Sequence, residues 1–131
     1  MLAGVDATQA LSELTTISPQ VRRVAVAAAD DSLVVANVQH DEAQRLVAGA
    51  RRLLAEADAI GGNRGLATVT QLEVALGSGS VFVVRDGDRL IVATTSPEPT
   101  VGLVFYDLKT CLRTIADPSR ADAWEDDGGA A

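Results

Sequence analysis

From Asp41 to Ile60, apolar residues recur at steps of three and four: Ala43, Leu46, Val47, Ala50, Leu53, Leu54, Ala57 and Ile60. That spacing follows the turn of a helix, so the segment predicts a long amphipathic helix. Glu42, Gln44, Arg45, Arg52, Glu56 and Asp58 lie largely off the stripe. Asp41 stands where an N-cap carboxylate would accept backbone N–H bonds and face the positive end of the dipole. Gly61-Gly62 reads as a left-handed C-terminal stop. Such a helix cannot bury its stripe alone and needs a layer to lie on.

The flanking segments supply strands. Val24 and Val26 alternate with Ala25 and Ala27 across 21–29, which suits a strand buried on both faces. Asp30-Asp31-Ser32 reads as a turn, and Leu33 to Val38 as the returning strand of a hairpin. After the helix, Leu66, Thr68, Thr70, Leu72, Val74 and Leu76 alternate with Ala67, Val69, Gln71, Glu73 and Ala75. Gly77-Ser78-Gly79-Ser80 is a turn, and strands follow over Val81 to Arg85 and Arg89 to Thr95. Asp86-Gly87 between them is a strong two-residue hairpin signal. Helices close both ends. The first runs from Asp6 to Ile17 with Ala7, Leu11, Leu14 and Ile17 on one side, and Ser18-Pro19 stops it. The last covers about Val101 to Ala116 on a stripe of Val101, Val104, Phe105, Leu108, Leu112 and Ile115.

The expected fold is therefore an α/β (α+β) single-domain sandwich in the order α-β-β-α-β-β-β-α. A five-stranded antiparallel sheet carries the long helix on one face and the two terminal helices on the other. The domain is expected over 6–116. Residues 117–131 read as a disordered acidic tail, since five acids against Arg120 hold −4 of the chain's −7.

Composition excludes several functions. The 131 residues include 11 basic and 18 acidic ones. A nucleic-acid binder clusters basic residues against phosphates, so no nucleic-acid partner is expected. Phe82, Phe105, Tyr106 and Trp124 are the whole aromatic set, too few for a stacking platform or a cationic cage. Cys111 is a single cysteine, which excludes an internal disulfide and fits a reducing compartment. No apolar run reaches the roughly 18 residues of a membrane span. The start, Met1-Leu-Ala-Gly-Val-Asp, lacks a basic leader region. The expectation is a cytoplasmic protein with no direct membrane insertion.

Catalytic chemistry is not visible. His40 is the only histidine, and beside Asp41 it reads as a residue preceding a helix. Cys111 lies in a helix near the apolar edge and reads as packing. Asp30-Asp31 has no EF-hand spacing and reads as turn chemistry. Gly61 to Gly65 lacks a phosphate-loop Lys-Ser/Thr and follows a helix. Gly77 to Ser80 lacks a third glycine and precedes a strand. The chain is read as a non-enzyme with no catalytic residue, metal or cofactor. An enzyme working through His40, Asp41 or Cys111 would need a base–nucleophile pair that the sequence does not show.

Two features point instead to a partner surface. The long helix carries small residues, Ala48, Gly49, Ala55 and Ala59, beyond its stripe, which would let a second helix come close. The 66–76 strand starts the meander, is long for a sheet edge, and has one charge and no proline. Together they predict a two-fold homodimer, helix to helix and edge to edge. Its expected interface is Leu46, Val47, Ala50, Leu53, Leu54 and Ala57 of the helix with Val69, Gln71, Glu73 and Ala75 of the strand. Trp124 in the tail is a candidate docking anchor.

Several segments resemble the Roadblock/dynein light chain family over about Ala10 to Ile115. They are Leu11-x-x-Leu14, Val24-Ala-Val-Ala-Ala-Ala-Asp30, Leu33-Val-Val-Ala36, the helix from Asp41, Gln71-Leu-Glu-Val-Ala-Leu76, Asp86-Gly87, Leu90-Ile-Val-Ala93 and the helix from Gly102-Leu103. Asp30-Asp31 departs from the family's frequent Asp-Gly at that turn. The resemblance implies a homodimer with a continuous sheet across its two-fold. It further implies a bacterial signalling regulator or scaffold that binds a Ras-like small GTPase without lending a catalytic side chain. The alternative is a profilin-like or PAS-like adaptor whose sheet holds a small ligand under the long helix.

Overall fold

A computed structural model describes residues 7–62 and 69–116. The elements are α1 (Ala7–Ile17), β1 (Val21–Ala27), β2 (Leu33–Ala36), α2 (His40–Gly62), β3 (Gln71–Leu76), β4 (Gly79–Asp86), β5 (Arg89–Thr95) and α3 (Val101–Ala116). The five strands form one sheet in the order β2-β1-β5-β4-β3, every neighbouring pair antiparallel. The predicted element order and antiparallel sheet are the observed ones. Asp6, residues 63–68 and the 117–131 segment with Trp124 lie outside the described residues.

The sheet is apolar on both faces because its central strands alternate apolar with apolar. Val24 and Val26 of β1, Phe82 and Val84 of β4, and Ile91 and Ala93 of β5 meet α1 and α3. From those helices come Ala10, Leu11, Leu14, Val104, Leu108, Leu112 and Ile115. Phe82 and Phe105 meet edge to face, with ring centroids 4.9 Å apart. Ala25, Ala27, Val83, Leu90 and Val92 point the other way, onto Ala43, Val47, Ala50 and Leu54 of α2. Placing the long helix on one face and the terminal pair on the other is thus what the sequence led us to expect. Three stripe ends differ. Ile17, Ile60 and Val101 are exposed, because each sits at or near a helix end.

Several boundaries also differ. α2 starts at His40, with the Ala43 N–H donating to the Gln39 carbonyl at 2.9 Å, so Asp41 sits inside the first turn and not at the cap. Its charge still faces the dipole's positive end. The helix also continues through Gly61 and Gly62 instead of stopping before them. β2 ends at Ala36, two residues early, for a specific reason. The Asn37 side chain takes over the strand's bonding: its Oδ1 accepts from the Val24 N–H and its Nδ2 donates to the Arg22 carbonyl, both at 2.8 Å. The β4–β5 loop is Gly87-Asp88, one residue later than predicted, with Asp86 paired to Arg89. Gly87 at φ +65° fits the first loop position of a type II′ turn.

Gly79 opens β4 at φ +154°, and a Cβ there would run into the Thr95 carbonyl. No side chain larger than hydrogen fits between these strands. The acidic turn after β1 is held locally. Ser32 donates to the Asp30 carboxylate from its N–H at 3.0 Å and its hydroxyl at 2.6 Å, and these bonds hold the Asp30 carboxyl below its usual range. That satisfies the turn reading of Asp30-Asp31.

Candidate interaction surface

α2 does not lie centrally on its face. It packs over β1, β2 and β5. Beyond it, Val81 of β4 and Leu72 and Val74 of β3 remain only half-covered. The step between helix and sheet leaves a groove of about 440 Å³. Leu46, Gly49, Ala50 and Leu53 form its helix wall, and Val81 and Val92 its floor. Arg45, Arg52 and Glu56 stand at its rim. Among the described residues, β3 borders this half of the sheet as an edge strand, paired to β4 alone.

The expected interface residues fall into three groups. Leu46 and Ala57 are half-buried and Leu53 is 36% exposed, and Leu46 and Leu53 line the groove. Val47, Ala50 and Leu54 are at most 3% exposed because they are spent on the chain's own sheet. Val47 and Leu54 therefore offer a partner nothing, and Ala50 only its edge of the groove wall. Their phase on the helix is the inward one, which periodicity alone does not separate from its flank.

The strand residues divide as well. Gln71, Glu73 and Ala75 pair with Val84, Phe82 and Ser80, so they share the α1/α3 face and not the face of α2. The Glu73 carboxylate accepts from the Ser80 hydroxyl at 3.0 Å. Leu72, Val74 and Leu76 carry the α2 phase, opposite Val83, Val81 and Gly79. They are the apolar half of the alternation, which is what marks this phase in the sequence.

Val69 is not in the strand at all. Its N–H donates to Asp58 Oδ1 at 2.9 Å, and its carbonyl accepts from Arg85 Nε at 2.9 Å. The same arginine bonds Asp58, so α2, Val69 and β4 are locked together where β3 begins. The hydrogen bonds from Arg85, then that from Val69, hold the Asp58 carboxyl below its usual value. A second arginine ties the neighbouring turns. Arg51 bonds Asp31 at 2.5 Å and the carbonyls of Ala28 and Asp88 at 2.9 and 3.0 Å.

The residues weighed for chemistry lie apart from this surface. His40 is exposed at the start of α2. Cys111 is buried against α1, with its sulfur 3.8 Å from the Ala10 carbonyl. Burial, then the Glu13 charge, pushes its thiol up to about 11. Among the described residues, no group of three or more His, Cys, Asp or Glu could hold a metal ion, and no helix is long and apolar enough to cross a membrane.

No family model and no curated protein matches the chain. Solved structures do. A Roadblock/LC7 domain from Streptomyces avermitilis superposes with a TM-score of 0.71 at 19% identity, over 79% of this chain and 88% of that one. The fold is that of the Roadblock/LC7 domain. The gliding protein MglB from Thermus thermophilus matches at 0.71 and 15% identity, over 84% of this chain and 85% of its own. An MglB with a tetrameric arrangement matches at 0.72 and 14%, with the same coverage. At these identities the likeness is one of backbone. Aliphatic layers such as those on the two faces of this sheet tolerate exchange when volume and phase are kept, so a shared backbone is compatible with low identity.

Proposed function

We propose that this chain is a homodimeric, non-enzymatic regulator or scaffold of bacterial signalling whose partner is a Ras-like small GTPase. The observation that carries the reading is the half-covered α2 face. A single chain leaves an apolar groove beside α2 that continues onto an open six-residue edge strand. A second copy related by a two-fold would lay its α2 antiparallel along the groove and its β3 against β3. The interface would use Leu46, Gly49 and Leu53 with Leu72, Val74 and Val81. Val69, Gln71, Glu73 and Ala75 would serve through the backbone of the edge or the layer beneath it. The likeness to MglB structures, one of them in a tetrameric arrangement, supports assembly. The GTPase follows from the family resemblance.

Sedimentation tests the first half: a dimer is expected at tens of micromolar, and a strict monomer would overturn it. Co-sedimentation with the Ras-like GTPases of the same genome tests the second half. Binding is expected to one of them with a preference between its GDP and GTP states, and binding to none would remove the partner. If apolar metabolites stabilise a monomeric chain against heat, the groove belongs to a ligand-sensing adaptor instead.

A further inference from the structure

The arginines at 23, 51 and 85 each have a carboxylate partner: Glu42 at 3.0 Å, Asp31 and Asp58. Lys109 and Arg113 of α3 make no ion pair among the described residues. They are four residues apart, so they share one side of the helix. Both line a cleft of about 240 Å³ between the last turns of α3 and the end of β4. Its floor is apolar, from Val84 and Leu112. Arg85 and Asp86 line it too, but Arg85 is already bonded to Asp58 and Val69. The cleft is thus left with two unpaired cations against one acid. Arg113 suits the negative end of the helix dipole from the last turn of α3. Lys109 lies a turn further in, where that effect has faded, and is the chain's single lysine. Val84 belongs to the layer under α1 and α3, so the cleft is on the opposite face from the α2 groove.

We propose that this cleft is the docking site of the chain's own acidic segment beyond α3, with Trp124 on the apolar floor and the neighbouring acids on Lys109 and Arg113. The sequence continues past Ala116 with Asp117, Asp122, Glu125, Asp126 and Asp127 against one base, Arg120. Its run Asp122-Ala123-Trp124-Glu125-Asp126-Asp127 sets the single tryptophan between carboxylates. The cleft has the complementary order, an apolar floor between cations. The stems of Lys109 and Arg113 add apolar surface for an indole, and their charges favour the face of its ring. Reach is sufficient. Lys109 stands about 10 Å back along the helix from Ala116, and the six residues from 117 to Asp122 can span about 20 Å. That leaves length for the chain to turn back and run beside α3. Exposed ion pairs are weak singly, but so short a tether holds the acids at an effective concentration of about millimolar or above. The site takes this segment of the same chain and does not rest on the dimer or the GTPase.

Trp124 is the sole tryptophan, so its fluorescence in the full chain reports the docking directly. In low salt the parent is expected to emit to the blue of the same chain in strong denaturant and to be shielded from a soluble quencher. About 1 M salt, which screens charges beyond about 3 Å, is expected to shift the band red. Lys109→Glu/Arg113→Glu is expected to move it to the position of the denatured chain, with circular dichroism unchanged. A second variant leaves residues 7–116 intact and neutralises the segment: Asp122→Asn/Glu125→Gln/Asp126→Asn/Asp127→Asn. It is expected to release Trp124 in the same way, so the test holds even if the first variant fails to fold. Emission is also read on dilution, where docking on the same chain leaves the band in place. A parent that emits like the denatured chain would overturn the proposal. So would a blue band that ignores the neutralised segment, or one that ignores the reversed cations in a folded variant. A band that moves red on dilution assigns the segment to another copy and overturns docking within one chain. None of these outcomes depends on the sedimentation that tests the dimer.

Discussion

One terminal nitrogen of Arg85 donates to both oxygens of the Asp58 carboxylate, at 2.9 and 3.0 Å, from 27 residues away in sequence. The arginine side chain is 14% exposed and also bonds the Val69 carbonyl, so one side chain fixes the end of α2, the approach to β3 and the middle of the meander.

This pair predicts an acid-labile contribution. The folded Asp58 carboxyl lies below its ordinary value of 3.8. Its stabilisation is therefore complete above the unfolded value and is lost as pH falls through the lower folded one. Urea midpoints measured from pH 7 down to pH 2 should fall in this window for the parent. Asp58→Asn should start lower at pH 7 and lose less on acidification. Parallel curves would show that Asp58 has no such role.

Adjacent leucines of α2 are expected to behave differently. Leu54 is 1% exposed, and Leu54→Ala should cost about 3 kcal/mol in urea unfolding. Leu53 faces the groove, so Leu53→Ala should cost less than about 1 kcal/mol in the isolated fold while weakening self-association. Sedimentation and denaturation of the same samples separate the two effects.

Gly79→Ala should lower stability by about 2–3 kcal/mol, because a Cβ there meets the Thr95 carbonyl and the backbone is in glycine's territory. Gly87→Ala retains open space around the new carbon and carries only the cost of its positive φ, so it should be the milder change. Denaturant midpoints of the two variants give the ranking.

Cys111 should resist modification. With its thiol buried and raised to about 11, labelling by iodoacetamide at pH 7.5 is expected to be slow in the folded chain and rapid in strong denaturant. A native rate close to that of free cysteine would place the sulfur at the surface.

The layers of this fold were legible because each rests on a local period. Ala43, Val47, Ala50 and Leu54 repeat as a helix, and Val24/Val26 alternate with Ala25/Ala27 as a strand with two buried faces. What the sequence concealed depends on contacts between distant segments. The 66–76 alternation continues past Val69, yet Asp58 and Arg85 claim that residue's backbone and delay β3 to Gln71. Asn37 reads as one more strand residue until its amide is seen standing in for backbone. Burial divides the residues expected at the interface: Val47 and Leu54 share the stripe with Leu46 and Leu53, and only the off-centre seat of α2 tells inward from lateral.

The short β2 strand carries a consequence for how large such an assembly can grow. A sheet with two equally inviting borders would recruit copies at both and lengthen without limit. Here one border offers the six residues of β3, and the other is four residues long, flanked by α1 and α2 and ended by Asn37. Joining through β3 would use up the permissive border of each copy and leave the stunted ones outermost. In the proposed dimer, the inequality of the two borders would halt the sheet at a pair, with termination built into every subunit.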